Sequence, residues 1–178
     1  KTISGIIKDE NTGEPISADL SWENANTGEL LTSATNNDST GEFEFEAPVY
    51  IDKRDAKYIL VSKAPNYFFN EIIFTAADIA DSNVIKHINV VLPKLRKGNK
   101  IQLHSINFYG NKDICLPSAT ATLKRLYKIM KKNPKLNIEI EGHTNGCSSG
   151  VTFSQILSDN RAKRIKLYLT DKKIDASR

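Results

Sequence analysis

Along the first half of the chain, apolar positions recur every second residue in short runs, the period of a strand with one buried face. Thr2 to Lys8 is the first run. Ala18, Leu20 and Trp22 share one face of the next, and Phe43 and Phe45 alternate with Glu42, Glu44 and Glu46 in another. Leu30 to Ala34, Tyr58 to Ser62, Asn70 to Phe74 and His87 to Leu92 complete the set. Between them lie clusters of Asn, Asp, Thr and Gly at residues 9–13, 24–28 and 36–41, the composition of turns. Seven short strands with regular turn signals predict an antiparallel β-sandwich over residues 1–95.

Beyond residue 98 the dominant period becomes 3.6. Ile101 to Phe108 still alternates as a strand. Pro117-Ser118-Ala119 then opens a helix with Leu123, Leu126, Ile129 and Met130 along one face, and Asn133-Pro134 closes it, because the residue before a proline disfavours helix. Leu136 to Ile140 reads as a second strand running into Gly142-His143-Thr144-Asn145. After a polar loop comes a second helix, with Leu157, Ile165 and Leu169 on one stripe. The order βαβα predicts an α/β domain over residues 98–178, joined to the first by the short linker Pro93 to Asn99.

Charge sharpens the division. Residues 1–96 hold 9 Lys/Arg and 15 Asp/Glu, a net of −6, whereas residues 97–178 hold 16 Lys/Arg and 6 Asp/Glu, a net of +10. The Lys-rich run Lys124, Arg125, Lys128, Lys131, Lys132 and Lys135 falls mostly on the outer face of the first long helix and reads as a solvated surface. A nucleic-acid surface would interleave aromatics, and only Tyr127 lies in the run, so no nucleic acid is expected. No stretch of about 18 apolar residues occurs, so membrane association is expected only through parts outside this sequence. The start at Lys1, inside a strand, reads as that of a processed or excised piece.

The 3 histidines are too scattered for a metal site, and no nucleophile–base–orienter set is present. No enzyme activity and no cofactor are expected. Asp9, Glu10, Asp38 and Glu42 read as turn acids rather than a cation site, and His143 as a residue that holds the strand-end turn. The two cysteines, Cys115 and Cys147, follow the first and second C-terminal strands. Parallel strands would put both loops at one end, where the pair could form a disulfide in an oxidising compartment.

Two resemblances carry the functional expectation. In the first half, Ser4-Gly5-Ile6-Ile7 with Pro15-Ile16, then Ser39 to Phe43, then Tyr58 to Val61 with Ala64-Pro65-Asn66-Tyr67, resembles the carboxypeptidase regulatory-like, transthyretin-like β-sandwich, usually a non-catalytic spacer or interaction module. In the second half, Ile106-Asn107-Phe108, Asn111-Lys112, Asn133-Pro134-Lys135-Leu136, Ile138 to Thr144, Leu157 to Ala162 and Ile174 to Arg178 together resemble the OmpA-like peptidoglycan-binding domain. That family grips the diaminopimelate of a cell-wall stem peptide and normally continues past Ile174-Asp175 into a further strand or two.

By position, the resemblance implies a ligand pocket of Phe108, Asn111, Thr144, Asn145, Ser154, Leu157, Ser158 and Arg161. Arg161 carries the planar fork that suits a carboxylate, and its spacing from Leu157 and Ile165 puts it on the inward stripe. Asn145 stands where the family has Asp, which removes one charge-assisted bond worth about 1.5–3 kcal/mol. Ser154 stands where the family often has Asn, and Tyr109 where it often has an acid. The resemblance implies periplasmic, outer-membrane-associated anchoring of an envelope assembly to the cell wall. Tandem order resembles that of lipoproteins tethering secretion or gliding machinery. The alternative is an envelope protein-interaction scaffold that has lost wall binding, which the three departures favour.

Overall fold

The computed structural model describes residues 1–50, 55–144 and 151–178. The chain divides into two compact units, residues 1–104 and 105–178, each taken by itself below.

The first unit contains β1 (Thr2–Asp9), β2 (Asp19–Asn24), β3 (Leu30–Thr35), β4 (Glu42–Glu46), β5 (Lys57–Lys63), β6 (Asn70–Thr75), α1 (Ala76–Ala80) and β7 (Ile88–Leu92). They form a three-stranded sheet ordered β4-β1-β7 and a four-stranded sheet ordered β3-β2-β5-β6. Ile3 and Ile7 of β1, Phe43 of β4 and Val90 of β7 pack with Leu20 and Trp22 of β2, Tyr58 and Leu60 of β5 and Phe74 of β6 in one core between the sheets. Trp22 is fully buried, stacked on Tyr58 with ring centroids 5.2 Å apart, and donates Nε1–H to the Pro48 carbonyl at 2.9 Å. The ring thus buries its apolar area while its one polar atom keeps a partner.

Three connections use one device. In Asp9 to Glu14, Asn24 to Glu29 and Asn37 to Glu42 the sequence runs Asx-x-x-Thr-Gly-Glu. Each Asx Oδ1 accepts the backbone N–H groups two and three residues on, each Thr hydroxyl accepts the Glu N–H, and Gly13, Gly28 and Gly41 take φ of 72, 73 and 75°. A side chain at that φ is strained, so glycine is required, and the Asx side chain replaces a backbone turn partner. The three clusters are copies of one motif, legible in the sequence as a repeat.

Not every strand is antiparallel as the pattern predicted. β1 pairs antiparallel with β4 but parallel with β7, Gly5 facing Ile88. A parallel pair needs a long connection, and here the whole intervening sandwich supplies it. α1 is also absent from the expected elements. Its Thr75–Asp78 capping box, with each side chain bonded to the other's backbone, is the signal that marks it.

The second unit contains α2 (Ala119–Lys132) and α3 (Val151–Asp171). Leu123, Leu126 and Met130 of α2 and Leu157 and Leu169 of α3 are buried, with Ile129 and Ile165 half-buried on the same stripes. Asn133 ends α2, its backbone N–H and its Nδ2 both donating to the Ile129 carbonyl. The expected strands at 101–108 and 136–140 carry no ladder: among the described residues beyond 98, the pairing is the isolated bridge of Phe108 with Cys115. Alternation fixes which way side chains would face, but a strand exists only when another backbone takes its N–H and C=O groups. Segment 136–138 is instead held by Arg178, which donates to the carbonyls of Leu136, Met130 and Asn133 at 2.8–3.2 Å and accepts the Ile138 N–H. A guanidinium at the carboxyl end of α2 also complements the helix dipole.

Candidate functional site

The loop after the 101–108 segment closes on itself. Tyr109 N–H donates to Ile114, Leu116 N–H to Asn107, and Lys112 N–H to Tyr109, with Asn111 in the left-handed region at φ 55°. Two arginines one turn apart on α3 hold this loop. Arg161 Nε donates to the Lys112 carbonyl at 3.1 Å and an Nη to Tyr109 at 3.4 Å, and its guanidinium lies 5.0 Å from the centre of the Phe108 ring. Arg164 donates to the Asp113 carbonyl at 3.3 Å and pairs with its carboxylate at 3.0 Å. Sequence reasoning missed Arg164. Its spacing of three from Arg161 puts both on one helix face, and that was the available signal.

The strand-end motif meets the same helix. A Cβ on Gly142 would fall within 3.0 Å of the Ser158 carbonyl group, so this residue lets the backbone lie directly on α3. Ser158 is buried, its hydroxyl donating to the Gln155 carbonyl at 3.0 Å, and Leu157 beside it is buried too. The structure therefore brings Arg161 to Phe108 and to the loop that carries Asn111, and Gly142 against Ser158, next to Leu157, a turn earlier on the helix. Thr144 is half-buried and follows directly, and Ser154 is half-buried on α3. Asn145 lies outside the described residues.

His143 does not hold the turn. Its side chain is 80% exposed, with Nε2 3.9 Å from Glu141 Oε2, because the alternation that turns Gly142 onto the helix turns His143 away. Cys115 is half-buried, and burial pushes its thiol above the usual range, which keeps it neutral. The other cysteine of the expected pair, Cys147, lies outside the described residues. No group of three or more His, Cys, Asp or Glu that could hold a metal occurs among the described residues, and no helix among them is long and apolar enough to cross a membrane.

Chemically, the loop and helix hold a guanidinium over an aromatic ring. A guanidinium has five N–H donors in one plane. Two directions are fixed by loop carbonyls, which sets the orientation of the fork.

No curated protein matches the chain. Residues 107–178, about two-fifths of its length, match the model of the OmpA family, so the C-terminal part of this protein, the part that carries the loop, the Gly142 contact and both arginines, is OmpA-like.

Proposed function

We propose that the C-terminal unit binds peptidoglycan through the diaminopimelate of a stem peptide, without enzymatic action, and so tethers an envelope assembly to the wall from the periplasmic side of the outer membrane. The orientation of Arg161 carries this reading. Held by the Lys112 and Tyr109 carbonyls and stacked near Phe108, it is preorganised before any ligand arrives. Its remaining donors suit the ligand carboxylate bidentately. Asn111, Thr144, Asn145 and Ser154 would supply the polar partners, and Phe108, Leu157 and Ser158 the wall of the site. The family match supports peptidoglycan as the ligand class. The N-terminal two-sheet unit, on the carboxypeptidase regulatory-like resemblance, serves as a spacer or interaction module between the anchor and its assembly, secretion or gliding machinery being the kind of partner the tandem suggests.

One observation favours the scaffold reading. The Arg161 contacts also tie α3 to the loop, a role the residue would keep without any ligand. Titration with a diaminopimelate-containing stem peptide, beside Arg161→Ala and Arg161→Lys, separates the two. Saturable binding lost in both variants, with helix content at 222 nm unchanged, is the expected result. Absence of binding and of retention on isolated sacculi by the folded chain would overturn the anchor and leave the scaffold.

A further inference from the structure

α2 carries an uncompensated positive stripe. Lys124, Lys128 and Lys131 are exposed at spacings of four and three, so they share one face, with Tyr127 between them and Lys135 exposed just beyond the helix end. No Asp or Glu occurs between Asp113 and Glu139. Solvated surfaces ordinarily mix both signs, and like charges at this spacing weaken a helix, so solubility alone does not explain the arrangement.

The fold adds what the sequence does not show. Lys172 of α3 lies 5.7 Å from the centre of the Tyr127 ring and 5.1 Å from that of Tyr168, and Lys131 lies 5.7 Å from the Tyr127 ring. Lys172 thus joins the stripe from the neighbouring helix as a fifth lysine beside Tyr127, while Tyr168, its hydroxyl buried, backs the face from below.

We infer that this Lys–Tyr face docks the protein on an anionic membrane surface. A tyrosine among lysines, as Tyr127 is here, suits the interface between headgroups and water. Lysines are compact, strongly hydrated point charges that need no fixed partner geometry, which matches a fluid layer whose phosphates diffuse to meet them. Protein interfaces, by contrast, are depleted in Lys. A nucleic acid would need open ring faces for bases to stack on, and here Lys131 and Lys172 lie over the Tyr127 ring.

The test is co-sedimentation of the whole chain with mixed phosphatidylglycerol–phosphatidylcholine vesicles and with pure phosphatidylcholine vesicles, at rising salt. Each lysine at such a surface is worth about fivefold in partitioning. Binding is expected only to the anionic vesicles, weakening with salt, and falling about a hundredfold in Lys124→Gln/Lys128→Gln/Lys131→Gln. The charge-matched control Lys97→Gln/Lys163→Gln/Lys166→Gln, all exposed, should keep most of it. Failure to sediment with anionic vesicles overturns the inference. So does equal loss in the control, which would reduce the effect to net charge, and so does tighter binding to a duplex DNA oligomer with the same loss in the stripe variant.

Discussion

Replacing Gly142 with alanine tests the junction on which the proposed site depends. The added Cβ would sit 2.9 Å from the Ser158 carbonyl carbon and closer still to its oxygen, whereas real Cβ atoms essentially never come under 3.0 Å. Both obstructing atoms are backbone in α3, so no side chain can swing aside. The Gly142 segment and the helix must part by about 1 Å, an overpacking cost of about 1–3 kcal/mol. For a unit of this size that lowers the melting temperature by about 5–20 °C. Trp22, the chain's 1 tryptophan, is in the first unit, and the two long helices are in the second. Ellipticity at 222 nm therefore follows the second unit and tryptophan fluorescence the first. The helix transition should fall while the fluorescence transition stays in place. Stem-peptide affinity should drop about tenfold, because a site loosened by an ångström loses its preorganisation. His143→Ala, at the exposed neighbour, should change neither by more than about 0.5 kcal/mol. A Gly142→Ala chain that melts and binds as the parent does would refute the close approach and the role assigned to the motif.

Two further outcomes are expected. Arg178→Ala removes a guanidinium shared among three backbone carbonyls at the end of α2; charge-assisted bonds and the helix dipole together predict a loss of about 2–3 kcal/mol in urea unfolding followed at 222 nm. Asp9 accepts from Asn11, Thr12, Tyr67 and Lys94, and the backbone N–H of Thr12 first, then the Tyr67 hydroxyl, hold its carboxyl well below the usual carboxylate range. A carboxyl lowered by folding contributes fully above its unfolded pKa and loses that contribution as pH falls towards the folded one. The urea midpoint read by Trp22 should therefore fall below about pH 4, and Asp9→Asn should start lower at neutral pH and decline less on acidification; a parallel decline in both chains would count against the network.

Much of the first unit was legible because its signals are local. Strict alternation in Glu42–Glu46 names the buried face, and the Asx-x-x-Thr-Gly-Glu turns contain their own hydrogen-bond partners. The parallel pairing of β1 with β7 was not legible. It joins segments about eighty residues apart, and alternation says nothing of which neighbour a strand takes. In the second unit, Pro134 and the apolar stripes fixed both helices in advance. The expected strands failed because periodicity specifies faces and not partners. At the proposed site, the family resemblance pointed to Arg161 and its spacing put it on the inward stripe, whereas its partners, the carbonyls of Tyr109 and Lys112, are backbone atoms that any sequence carries.

By itself, then, the sequence determined the strand faces of the first unit, the turns, the limits of α2 and the type of charged group offered by α3. Each depends on a few neighbouring residues. The tertiary structure alone decided that Gly142 lies on Ser158, that Arg161 and Arg164 clasp one loop, that Asp9 meets Tyr67 and Lys94, and that Lys172 joins the α2 stripe. Those contacts bring together residues some fifteen to eighty-five apart, and only the packing of a whole core fixes such distances to within an ångström.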